Sequence, residues 1–287
     1  MSCIFGTRST SPGRGGYDYI NELTQFQMVP HLGTRDISIV YPDSDDAILF
    51  CADLIANVSI DTPGRRGDTT FPSYVVPRNG SLRLTLTGLL PGLSRWHAVV
   101  NGETATLITA VLPPVSIKVS VAKILKDITR EMNFADEAII GMLREVKAFF
   151  LDSVNITLTW DSEFQYLTFP EHDFGPVIMM DKFGDVVQGK VKPTSADKVL
   201  IYGWDIDDSR DGVVAFGRAQ LGGRFAWMDA NTPWQTTAHE LCHSLGLDHD
   251  NGDRPNLMNN TKPGEALLMH QIIAASAGAA AFDALTA

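Results

Sequence analysis

The chain has 287 residues, enough for two hydrophobic cores, with 44% hydrophobic and 20% charged residues, the balance of an ordinary soluble globular protein. Its formal net charge of −11 comes without a basic run, which argues against nucleic acid or an anionic membrane surface as a partner. Cys3, Cys51 and Cys242 are too scattered for a disulfide framework, and the longest apolar run, Ile272 to Phe282, is too short to span a bilayer.

The opening M-S-C-I-F-G-T-R-S-T-S-P-G-R-G-G has no apolar core of a secretory leader. That fits a cytoplasmic chain, or one exported by a leaderless route as an effector or toxin. Residues 1–34 are expected to form a mobile N-terminal arm, since Gly, Ser, Thr and Arg dominate its first part. Cys3 then reads as a loose terminal thiol rather than a thiolate that blocks a metal.

Residues 35–113 carry only β signals and are expected to form a small all-β, sandwich-like accessory domain. Ile37 and Ile39 begin the series, and Ile48 to Ile60 supplies further strands. Leu82, Leu84 and Leu86 alternate with polar residues. Trp96 to Val100, Asn101-Gly102 and Glu103 to Ile108 read as a tight hairpin. His97 lies on that hairpin without an acidic or cysteine neighbour, so a plain surface role is expected.

Pro113-Pro114 marks a boundary, and 114–287 is expected to be a second domain of mixed helices and strands, giving an α+β fold overall. Val115 to Val121 alternates as a strand. Asn133 is placed to cap a helix whose apolar face is Ile139, Leu143, Val146 and Phe150. Val154, Ile156, Leu158 and Trp160 read as the next strand, and 161–197 as irregular. His172 stands in that irregular stretch between Glu171 and Asp173, where a solvated loop is expected. Val199 to Trp204, Val213 to Ala219 and Arg224 to Met228 are three more strands, the last two joined at Gly222-Gly223. Asp205, Asp207, Asp208 and Asp211 gather before the second of these; a calcium (Ca2+) loop is possible there, a solvated acidic turn the alternative. Thr232-Pro233-Trp234-Gln235 has the pattern of a capping box that opens a helix.

That helix carries H-E-L-C-H-S-L-G-L-D-H, from His239 to His249. The chain has seven histidines and three of them fall in these eleven residues. His239 and His243 are four apart, one above the other on a helix face. Gly246 can take positive φ and end the helix, so that the chain returns with His249. Three neutral imidazoles with a fourth position open describe a catalytic rather than a structural zinc (Zn2+) site. Glu240 can reach water beside the ion without ligating it. Cys242 points off the ligand face and is expected to be a small buried residue. His270 reads as surface.

This stretch resembles the metzincin metalloproteases, whose pattern is H-E-x-x-H-x-x-G-x-x-H followed by a turn containing Met. Met258, in N-L-M-N-N, stands in the place of that Met. The specific match covers residues 239–258, and a looser match of element order covers about 115–275. Asp250 after the third His is similar to the reprolysin branch and S-L-G-L-D-H to the matrixins, while Asn260 stands where astacins and serralysins have Tyr; the branch is unassigned. The resemblance implies zinc on His239, His243 and His249, Met258 as the apolar floor beneath it, and residues 213–219 as an edge strand that holds peptide substrate. It implies a closing helix after Thr261 and Pro263, and a wall from Asn259 to Gly264 for the side chain after the cut bond. The expected activity is peptide-bond hydrolysis by a zinc-activated water, with Glu240 as general base and then general acid. A zinc amidohydrolase on a non-peptide substrate and a binding or assembly protein with a little-used metal site are the alternatives. Nothing in the sequence sets the oligomeric state.

Overall fold

The computed structural model describes residues 4–6, 14–40, 47–51, 58–61, 73–76, 81–100, 102–125, 135–169, 178–192, 194–204, 206–207, 216–229, 232–252, 256–260 and 264–286. The chain divides into two units. One comprises Met1–Pro114, Asp152–Asn155 and Glu265–Ile273; the other comprises Val115–Leu151, Ile156–Gly264 and Ala274–Ala287. The architecture is mixed α/β, with four α-helices among the described residues.

The first unit contains β1 (Ile4–Gly6), β2 (Tyr17–Asn21), β3 (Thr24–Pro30), β4 (Thr34–Val40), β5 (Ala47–Cys51), β6 (Val58–Asp61), β7 (Ser73–Val76), β8 (Ser81–Gly88), β9 (Gly92–Val100) and β10 (Glu103–Leu112). They form a four-stranded sheet in the order β1-β4-β8-β6 and a six-stranded sheet in the order β2-β3-β10-β9-β5-β7. Alternation along the strands turns one face of each sheet inward. Phe5, Ile37, Ile39, Leu84 and Leu86 from the smaller sheet meet Tyr17, Val29, Trp96, Ala98 and Leu107 from the larger in one core. Two sheets closed over a shared apolar layer make a β-sandwich. The expected hairpin pairs Val100 with Glu103, and Gly102 takes φ 81° in its turn.

Residues 17–30, expected within a mobile arm, are instead two strands of the larger sheet. β3 is buried at five successive positions, Gln25 to Val29. The two glutamines hid it from a count of apolar residues, yet both are hydrogen-bonded: Gln25 accepts from Phe5 N–H and donates to Asn21 O, and Gln27 donates to Gly15 O and Met28 O. A buried polar side chain with its partners in place costs little.

The second unit is laid out around β11 (Val115–Ile124). α1 (Asp136–Val154) follows, then β12 (Ile156–Trp160), β13 (Gln165–Leu167), β14 (Ile178–Met179), α2 (Met180–Lys190), β15 (Lys198–Gly203), β16 (Ile206–Asp207), β17 (Gly217–Ala219), β18 (Phe225–Asp229), α3 (Trp234–Ser244) and α4 (Met269–Thr286). The main sheet runs β12-β11-β15-β18-β17, with β13 also beside β11. Its strands are parallel except β17, which runs antiparallel to β18. All six residues of β15 are buried, as expected of a central parallel strand covered on both faces. Ile124, Leu167, Ile201, Trp204 and Trp227 form the core there with Val187 of α2. The face of α1 predicted from its periodicity, Ile139, Leu143, Val146 and Phe150, is buried.

Three expectations are corrected in this unit. The stretch 161–197 is not irregular throughout, since it contains β13 and α2. Gly184 and Gly189 weaken the helical pattern of α2 in sequence, at about 1 kcal/mol each, and burial of Val187 offsets this. Val154 ends α1 rather than opening the next strand, and Asn155 breaks the chain between them at φ 57°. The closing helix starts at Met269; Thr261 and Pro263 lie outside the described residues. Cys3, Asn133, the Glu171-His172-Asp173 run and Asp205, Asp208 and Asp211 of the acidic group also lie outside them. Among the described residues, no helix is long and apolar enough to cross a membrane.

Candidate metal centre

α3 leaves β18 through a short link fixed by one carbonyl. Asp229 O accepts both the N–H and the hydroxyl of Thr232, at 3.3 and 2.8 Å. Pro233, one residue later than expected, occupies the N-cap with no side-chain cap bond, so the expected capping box does not form. At the other end Gly246 takes φ 93°, its N–H bonds to His243 O, and Leu247 N–H bonds to Cys242 O. This paired closure satisfies the last carbonyls and reverses the chain. Gly278 of α4 lies against that closure: a Cβ there would stand 2.1 Å from Leu245 O.

The reversal brings three imidazoles together. His249 Nε2 lies 3.2 Å from His239 Nε2 and 3.1 Å from His243 Nε2. His239 Nδ1 is 2.6 Å from Leu257 O, and His243 Nδ1 is 2.7 Å from Leu247 O. A carbonyl oxygen only accepts, so both Nδ1 atoms carry the proton and both Nε2 atoms present bare lone pairs. His249 has at most one Nε2 proton and cannot donate to both. The cluster therefore turns lone pairs toward one point, an arrangement that suits a cation.

The spacing fits as well. Nitrogens about 2.0–2.1 Å from a tetrahedral zinc are about 3.3 Å apart. Among the described residues, His239, His243 and His249 are the one group of three or more such side chains close enough to share an ion.

The turn after the third histidine holds this geometry. Asp250 N–H donates to Met258 O, and Asn256 Nδ2 donates to Asp250 O. The same turn supplies Leu257 O to His239, so it orients that ring. Leu257 and Met258 are fully buried. Burial lowers the pKa of His239 to about 4 and also lowers that of His243, which keeps both rings neutral near pH 7.

Glu240 is 5% exposed. Burial pushes its pKa up to about 8, against the opposing pull of the Ala219 backbone N–H and the charge of Arg218. Among the described residues, its Oε2 has no hydrogen-bond partner. Cys242 is fully buried, its thiol pushed up by burial, and it stands outside the histidine cluster.

β17 and α3 are clasped by a lysine that the sequence reading did not single out. Lys198 Nζ donates to Gly223 O in the β17–β18 turn and to Ser244 O at the end of α3, at 2.8 and 2.6 Å. Gly222 N–H adds a bond to His243 O. Burial lowers Lys198 to about 8. A lysine opening an apolar strand was the available signal. The backbone acceptors at 247 and 257 left none, because any residue type supplies a carbonyl. Neither His97 nor His270 belongs to the cluster: His97 Nδ1 is 3.1 Å from Thr106 Oγ1 across the β9–β10 pair, and His270 is exposed on α4.

No protein-family model matches the chain, and no curated protein matches it. Among solved structures it is similar to a chain from a chaperone–substrate complex, at 14% identity and TM-score 0.41, over 69% of this chain but only 39% of that one. It is also similar to the archaemetzincin of Methanopyrus kandleri, at 14% identity and TM-score 0.38, over 59% of this chain and 94% of that one. The archaemetzincin of Archaeoglobus fulgidus in complex with malonate gives 15% identity and TM-score 0.37, over 55% and 99%.

Proposed function

We propose that the chain is a zinc-dependent endopeptidase of the metzincin type, with His239, His243 and His249 as metal ligands and Glu240 as the proton carrier. The observation that supports it most is the convergence of three Nε2 atoms while two Nδ1 atoms are spent on backbone carbonyls. When bound, the zinc ion supplies a Lewis acid for the scissile carbonyl and raises the acidity of water beside it.

The protein's own groups do the rest. Glu240, one residue after the first ligand and buried, takes the proton of the attacking water at Oε2 and returns it to the leaving amine. Its raised pKa near 8 suits a group that must both accept and release a proton close to neutrality. β17 ends the sheet order, so an extended peptide can add to its outer edge by main-chain hydrogen bonds.

The test compares wild type with Glu240→Ala by sequencing new N-termini in a mixture of denatured proteins. The variant should retain one zinc per chain and lose about 10²–10⁴-fold in kcat. A variant that still cuts at the wild-type rate removes Glu240 from this role. Zinc-dependent turnover of small amides without new N-termini would reassign the site to a non-peptide substrate.

A further inference from the structure

A glycine in the edge strand lies against the glutamate. A Cβ at Gly217 would stand 2.7 Å from Glu240 Cγ, 2.8 Å from Glu240 Oε1 and 2.9 Å from Thr236 Cγ2. Gly217 does not have positive φ, so its backbone suits any L-residue. What the position demands is empty space.

The strand also grips the carboxylate. The Ala219 N–H donates to it, and among the described residues Oε2 has no partner, so Oε1 is the oxygen bound. Pairing explains how one strand does both. Asp229 N–H bonds to Phe216 O, so the main-chain groups of 217 and 219, one and three places on, face away from β18.

We propose that Gly217 and the Ala219 amide are positioning groups for Glu240: the missing side chain leaves a recess into which the glutamate folds, and the amide pins Oε1 there so that Oε2 is the oxygen presented. β17 thereby sets the aim of the proton carrier, in addition to offering an edge to substrate. This inference rests on the reading of Glu240 given above.

The experiment is a double-mutant cycle between Gly217→Ala and Glu240→Ala, built in Thr236→Ser to take away the third contact. Alanine ends at Cβ, so it removes both the Cγ and the Oε1 contacts and leaves room for the new methyl. With Glu240 present, Gly217→Ala should lower kcat by about tenfold or more, because a misplaced catalytic group loses rate steeply with distance. KM should change far less than kcat, because a methyl at Gly217 leaves the main-chain groups of the edge in place, and zinc content should be unchanged, since no ligand is altered. In the Glu240→Ala background the same change should alter the residual kcat by less than about twofold.

Melting temperature of the metal-free proteins is read through the same cycle. Gly217→Ala should lower Tm when Glu240 is intact and much less in the Glu240→Ala background. An equal effect of Gly217→Ala in both backgrounds, on kcat and Tm alike, overturns the proposal. If the zinc-loaded parent cleaves nothing, the functional reading fails by itself, while the Tm cycle still decides whether Gly217 makes room for Glu240.

Discussion

At the residue scale, the three histidines differ in what else they do. His239 donates to Leu257 O from a buried position, whereas His249 is exposed. In metal-free protein, His239→Ala should therefore cost about 1–3 kcal/mol by leaving a buried carbonyl unpaired. His249→Ala should change stability by less than about 0.5 kcal/mol. Both should lose zinc; urea denaturation in chelator separates them.

The depressed pKa values give a pH dependence with a definite sign. The folded value for His239, about 4, lies below the 6.5 of a free imidazole. Between these values the unfolded chain binds protons that the folded chain refuses. The His239 contribution to metal-free stability should thus be complete above pH 6.5 and be lost as pH falls toward 4, while Glu240, raised to about 8, acts in the opposite sense. The urea midpoint of wild type minus that of His239→Asn, which keeps a donor for Leu257 O but does not titrate, isolates the His239 part and should be larger at about pH 7 than at about pH 5.

At the element scale, the clasp at Lys198 joins the β17–β18 turn to the end of α3. Lys198→Met keeps the chain length but orphans Gly223 O and Ser244 O. It should destabilise by about 1–3 kcal/mol in a thermal or denaturant melt. Elements with strong periods were legible in sequence: the face of α1, the β9–β10 hairpin and the alternation in β8 could be read directly. So was the grouping of His239, His243 and His249, because helix geometry and one glycine bring them together. What could not be read had local signals pointing elsewhere. β3 carries two glutamines in buried positions, α2 carries two glycines, and the N-cap of α3 falls on Pro233 although Thr232 beside it has a cap-forming hydroxyl. The recess at Gly217 depends on a contact with Glu240, far along the chain, which no local pattern encodes.

At the scale of the whole molecule, the first unit draws on three separate stretches. Arg35 bonds to Asp152, Asn155 Nδ2 donates to Leu112 O, and Asp18 accepts from Met269 N–H. A fragment beginning at Val115 would carry Asp152–Asn155 and Glu265–Ile273 without those partners. It should be less stable than the full chain, with the end of α1 and the start of α4 cut first in limited proteolysis. Fragment and full chain cleaved at equal rates would argue that the later residues fold alone.

The two carbonyls that hold His239 and His243 are main-chain atoms. An outer support made of side chains can be erased by one codon change; here no replacement at Leu247 or Leu257 deletes the acceptor itself. The ring orientations are therefore insulated from drift at those two sites, and random libraries at 247 and 257 should be limited by packing volume and proline, with ring anchoring left untouched.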